Sequence, residues 1–157
     1  MNIQNIKKAI AIMERAQGKV SMLQWQSSPQ GGQRLGIYEA ELHACGNVAC
    51  FAGWIAVSPE FQADGGGANP FCGFPVFQTE RGFFVEEEAI EKWLDIPYEF
   101  AESLVHGNRE ESRSSSTDFC NFYGKPWRDV NNTDVIEKLK TLLESEDPSQ
   151  VIDGDKK

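Results

Sequence analysis

The chain has 157 residues, 40% of them apolar and 11% aromatic, with a formal net charge of −9 and a pI near 4.7. That length suits one packed domain, and that apolar content excludes an intrinsically disordered chain. The acidic balance disfavours non-specific binding to DNA, RNA or anionic membranes, because neutralising phosphates requires clustered Lys and Arg.

A basic protein partner, or mimicry of nucleic-acid charge, is compatible with that balance; the ordinary reading is that it keeps a small protein soluble. No apolar run approaches the roughly 18 residues of a membrane span. The first residues, Met1-Asn-Ile-Gln-Asn-Ile-Lys-Lys8, lack the regions of a secretory signal. The expectation is a cytoplasmic protein, in a host cytoplasm if phage-encoded, whose four cysteines are free thiols.

Residues 3–17 place Ile3, Ile6, Ile10 and Met13 on one helical face, with Asn2 able to cap the start and Gly18 at the C′ position. Lys19–Gln26 alternates roughly and reads as a short strand, and 27–32 as a loop. Leu35–Leu42 is ambiguous in pattern and compatible with a strand leading into the centre of the chain. From Asn47 to Val57 nearly every position is apolar and many are small, the pattern of a buried helix. Gln62–Pro75, with Gly65-Gly-Gly67, Pro70 and Pro75, reads as a long loop. Residues 75–79 and 82–85 form a hairpin pattern. Glu86-Glu-Glu88 then opens a helix through Leu94, three carboxylates complementing the positive end of its dipole. Pro97 opens a second helix through Val105, compactly paired with the first across Asp95-Ile96. Residues 106–116 are polar, and Phe119, Phe122, Tyr123 and Trp127 pin the next segment to the core. Asn132 or Thr133 caps a last helix through Leu143.

The stretch Cys45-Gly-Asn-Val-Ala-Cys-Phe-Ala-Gly-Trp-Ile-Ala56 resembles a motif, Cys-Gly-Thr-x-Ala-Cys-x-Ala-Gly-x-Ala, of a family of small, mostly uncharacterised bacteriophage and bacterial proteins. Ala89–Pro97 with Phe100–Leu104, Pro126-Trp127 and Val135–Leu143 are similar to the family's helix pair, Trp-Pro element and final helix, so the likeness spans about residues 35–143. Asn47 stands for the usual Thr, Asp95 for the usual Gly, and the Trp/Pro order is reversed. The resemblance implies a compact domain of phage-like origin and carries no established activity or catalytic residues.

Three chemistries are candidates. A cysteine nucleophile would use Cys45 or Cys50 at a helix start, where the dipole favours thiolate, with His106 as base, since His43 is too near in sequence to partner easily. A zinc site would draw on His43, Cys45, Cys50, Cys72 and Cys120. Cys45 and Cys50 in one helix would point about 140° apart, so Cys45 would have to precede the helix. Against both stands simple packing of small thiols. The third candidate is a binding surface. Residues 80–102 hold eight carboxylates (Glu80, Glu86, Glu87, Glu88, Glu91, Asp95, Glu99, Glu102) against Arg81 and Lys92, which would steer a basic partner. The ordinary alternative is a solvated face.

Together these features predict a single α+β domain over 1–145, mostly helical, with a buried central helix and a small β-hairpin or sheet, and an acidic flexible tail over 146–157. The favoured function is a phage-type accessory protein, an interaction protein rather than an enzyme, that binds a protein, for example a host or defence factor, through Glu86, Glu87, Glu91, Glu99 and Glu102. The alternatives are a cysteine-dependent hydrolase (Cys45 or Cys50 with His106) and a zinc-stabilised structural module. No cofactor is expected, zinc being the alternative, and no nucleic acid or membrane is expected as a partner.

Overall fold

A computed structural model describes residues 1–22, 26–27, 38–43, 47–106 and 119–145. Its order is α1 (Ile3–Arg15), β1 (Gln26–Ser27), α2 (Glu39–Leu42), β2 (Val48–Ala49), α3 (Phe51–Val57), α4 (Pro59–Ala63), β3 (Gly66–Ala68), β4 (Pro75–Thr79), β5 (Gly82–Val85), α5 (Glu86–Leu94), α6 (Tyr98–His106), β6 (Phe119–Cys120), β7 (Lys125–Pro126), a 3₁₀ turn (Trp127–Asp129) and α7 (Asn132–Glu144). The fold is mixed α+β and mostly helical. The proposed tail and the loop at 28–32 lie outside the described residues, as does the polar segment after His106 as far as Asp118.

α3 sits at the centre. All seven of its residues are buried, including Phe51, Trp54 and Ile55, as an all-round apolar helix requires. It is shorter than the sequence suggests. Val48 and Ala49 form an antiparallel pair with Ser27 and Gln26, and Ala49 also bridges Val20, so the chain is extended until Cys50. Ser58 ends α3 because the following Pro59 disfavours helical geometry at Ser58; its ψ is 141°. The same serine then caps α4: its hydroxyl donates to the Ile55 carbonyl (2.8 Å) and accepts from the Phe61 N–H (3.3 Å).

Other departures are local. Residues 39–42 form a helical turn rather than a strand, with the Glu41 carboxylate accepting from the Tyr38 N–H. The glycine run predicted as loop supplies β3, which pairs antiparallel with β4 (Gly66↔Phe77, Gly67↔Val76, Ala68↔Pro75). β4 and β5 form the expected hairpin, and the three strands lie in the order β3-β4-β5. α7 is capped by Asn131, one residue earlier than expected; its Oδ1 accepts from the Thr133 and Asp134 N–H groups.

α1 packs most heavily on α7, and the apolar stripes Ile6, Ala9, Met13 and Val135, Leu139, Leu142 are buried in one core cluster that also takes in α3, α5 and α6. Large side chains with a polar tip satisfy it against backbone carbonyls: Trp54 on Lys19 (3.1 Å), Trp127 on Met22 (3.1 Å), Tyr123 on Leu104 (3.0 Å). Asn5, also buried, donates to the Trp93 carbonyl at 2.8 Å and ties α1 to α5.

The Trp93 indole N–H donates to Asp64 (2.9 Å), which also receives Lys8 at 2.6 Å. Burial pushes the Asp64 carboxyl up, but Lys8 and Trp93 together hold it below its usual range. Glu39 is likewise lowered, because Arg15 and His43 outweigh burial. A carboxyl whose folded-state pKa is depressed binds fewer protons folded than unfolded, so its stabilisation is complete above about pH 4 and is lost as pH falls through the depressed values. The expected result is a thermal midpoint level at neutral pH that falls below about pH 4. Asp64→Asn should flatten that fall, as circular dichroism melts between neutral and acid pH would show; an unchanged acid limb would remove Asp64 from the account.

Candidate functional site

α5 and α6 form the helix pair expected from the sequence. Asp95 ends α5 in the left-handed conformation (φ 53°), and the chain turns through Ile96 and Pro97 into α6. The inward residues Ala89, Ile90, Trp93 and Leu94 of α5 and Phe100, Ala101, Leu104 and Val105 of α6 are buried. The carboxylates at 88, 91 and 95 and at 99 and 102 follow i, i+3 and i+4 spacing and fall off those buried faces. Glu88, Asp95 and Glu99 are exposed; Glu91 and Glu102 are half-buried. Glu91 pairs with neighbouring Lys92 at 2.8 Å. Just upstream, Phe83 on β5 is 64% exposed.

One carboxylate assigned to this surface by sequence, Glu87, does not belong to it. Glu87 is buried, 6% exposed, and turns inward. Its Oε1 accepts from the Tyr98 hydroxyl (3.0 Å) and its Oε2 lies 3.0 Å from His106 Nε2. Burial pushes the Glu87 carboxyl up; its own backbone N–H, His106 and Tyr98 together hold it below the usual range. It is therefore a buried anion inside the helix pair and not a charge offered to a partner. Glu86 is half-buried beside it, and one donor atom each from Glu86, Glu87 and His106 lie within 4.8 Å of one another.

The local chain explains this convergence. β5 runs into α5 with no intervening loop: Val85 is extended and Glu86 takes φ 55°, a left-handed value rare for a residue with a side chain. Successive residues in a regular helix diverge by about 100°; the break at Glu86 releases that constraint. His106 is the last residue of α6, at the negative end of the helix dipole.

The cysteine readings fare differently. Cys45 lies outside the described residues. Cys50 is the N-cap of α3, with Sγ accepting from the Gly53 N–H at 3.4 Å, and it is 3% exposed. Burial pushes its thiol up to about 11, which overrides the dipole that would favour thiolate. Its proposed base, His106, faces Glu87. Cys50 is thus a buried thiol with a raised pKa, and the His106 ring is paired with a carboxylate. Native alkylation should label exposed Cys72 faster than buried Cys50 and Cys120; mass spectrometry finding Cys50 modified as fast as Cys72 would contradict this.

The described members of the proposed zinc set, His43, Cys50, Cys72 and Cys120, form no group of three ligands. His43 pairs with Glu39 (3.2 Å) and its ring lies 5.0 Å from that of Trp54. Glu39 in turn takes a two-pronged contact from Arg15 (2.8 and 3.0 Å), which also reaches Glu60 at 2.9 Å, a latch joining α1, α2 and α4. Cys72 is exposed between β3 and β4, and Cys50 and Cys120 belong to the core. Among the described residues the one grouping of three possible metal ligands is Glu86, Glu87 and His106.

Sequence reading missed Tyr98 entirely and separated Glu87 from His106. A signal was present: residue 87 lies about two turns before the Asp95–Pro97 turn and residue 106 about two and a half turns after it, so helices folded back on each other bring them close. Among the described residues no helix is long and apolar enough to cross a membrane. No family model, curated protein or solved structure matches the chain.

Proposed function

We propose that this chain is a small accessory protein that acts by binding another protein, with the outer sides of α5 and α6 as the contact surface and a basic patch as its target. The observation that carries this reading is the charge of one segment. Residues 80–102 hold eight carboxylates against two cations, while the whole chain carries a net −9. With Glu87 set aside, Glu88, Glu91, Glu99 and Glu102 remain on the outer sides of a helix pair whose inner sides are fixed in the core. Such a field raises the encounter rate with a positive surface and orients it. Phe83, exposed on the strand that leads into α5, supplies an aromatic anchor of the kind that dominates binding energy. The family resemblance adds a phage-like setting, in which a host or defence factor is the natural partner class.

Salt distinguishes this mechanism from apolar docking, because charges on open surfaces are screened within about 8 Å at physiological ionic strength. The tagged chain should retain one protein at near-stoichiometric yield from a low-salt lysate of its host and release it as salt is raised. Retention indifferent to salt would move the contact away from the acidic helices, and recovery of nothing specific would remove the binding reading.

A further inference from the structure

We propose that Glu86, Glu87 and His106 bind one divalent transition-metal ion of the zinc type. Three observations converge. First, the donor atoms come from two helices and mix imidazole with carboxylate, and all lie within 4.8 Å of one another. With metal–ligand bonds of about 2.0–2.2 Å, neighbouring ligands sit roughly 3–3.5 Å apart; His106 Nε2 and Glu87 Oε2 are already 3.0 Å apart. Second, Tyr98 holds the other oxygen of Glu87 at 3.0 Å. That contact fixes which oxygen faces the imidazole, as the outer hydrogen bonds of metal sites do. Third, adjacent residues share the site only because Glu86 departs from helical geometry (φ 55°), and strained backbone of this kind concentrates at functional positions.

The donor set also selects the ion. One imidazole and two carboxylates suit zinc or manganese and disfavour magnesium, which prefers oxygen alone; the general affinity order places zinc above manganese. Three protein ligands leave a position for water, so the site would be open rather than a closed structural clip. The competing account is a plain Glu87–His106 ion pair that needs no metal.

Calorimetric titration of the purified full chain with Zn²⁺, Mn²⁺ and Mg²⁺ separates the two. The expected result is saturable binding of one Zn²⁺ per chain, weaker for Mn²⁺ and absent for Mg²⁺. Glu86→Ala removes a half-buried ligand and leaves the Glu87–Tyr98 contact in place, so it keeps the test valid if His106→Gln fails to fold. Each variant should weaken Zn²⁺ at least tenfold, and Tyr98→Phe about tenfold through the lost outer contact. Cobalt in place of zinc should give visible ligand-field bands without a thiolate charge-transfer band. No saturable zinc binding, binding unchanged in Glu86→Ala, or a thiolate band from cysteine coordination would each overturn the proposal.

Discussion

Trp93→Ala is expected to lower stability by about 3–5 kcal/mol, the range for removing a buried aromatic from a core. Trp93 is 1% exposed, and its ring meets Phe61 edge-on at 5.2 Å. Phe61 stacks in turn on Phe77 at 5.5 Å, so the indole anchors an aromatic row joining α5, α4 and the sheet. The substitution also removes the indole N–H that Asp64 accepts. For a chain of this size the thermal midpoint should fall by about 10 °C. Trp93→Phe should recover part of the packing but not the hydrogen bond, and so fall between wild type and alanine. A drop of only a degree or two for Trp93→Ala would mean that the row is not part of the core.

Gly66→Ala is the second large effect, and it acts through the same row. A β-carbon at residue 66 would lie 2.3 Å from two ring carbons of Phe61. Phe61 is fully buried between Trp93 and Phe77, so its ring cannot swing aside without disturbing both. Overpacking of this kind costs about 1–3 kcal/mol. The contact shows why a glycine run forms a strand here: β3 can approach the Phe61 ring only where there is no side chain. Phe61→Leu in the Gly66→Ala background should recover part of the loss, and the two changes should be non-additive, as neighbours sharing a contact are. Urea unfolding of the two single variants and the double would measure that coupling. Full additivity would show that the alanine is accommodated elsewhere.

These two effects also mark where sequence patterning stops. α1, α5 and α7 carry long apolar stripes with caps or turn residues beside them, and local signals suffice to place them. The hairpin at 75–85 is legible for the same reason, since alternation and a turn coincide. β1, β2 and β3 have two or three residues each and form because other segments pair with them, about twenty residues away for β1 and β2 and about ten for β3. Nothing local in Gly65-Gly-Gly67 predicts pairing with Pro75–Phe77 or the demand made by Phe61. α4 carries a local start signal in Ser58-Pro59, a capping serine before a proline, but at five residues it is too short to show a helical periodicity. The candidate site divides likewise. Three glutamates opening a helix read naturally as dipole-complementing surface charge, and for Glu88 that holds. Glu87 differs because tertiary structure brings His106 and Tyr98 to it. Cys50 shows the opposite error: a helix start suggests a reactive thiol, but burial decides its chemistry.

The most direct test of the account compares partner retention by two charge-reversed forms of the full chain. One carries Glu91→Lys, Glu99→Lys and Glu102→Lys on α5 and α6; the other carries Glu14→Lys, Glu137→Lys and Glu144→Lys on exposed positions of α1 and α7. Both change the net charge equally, so a general charge effect would weaken them alike. If the acidic helix pair is the contact surface, the first form loses the partner and the second retains it at low salt. Equal retention by both, or loss by the second alone, would contradict it.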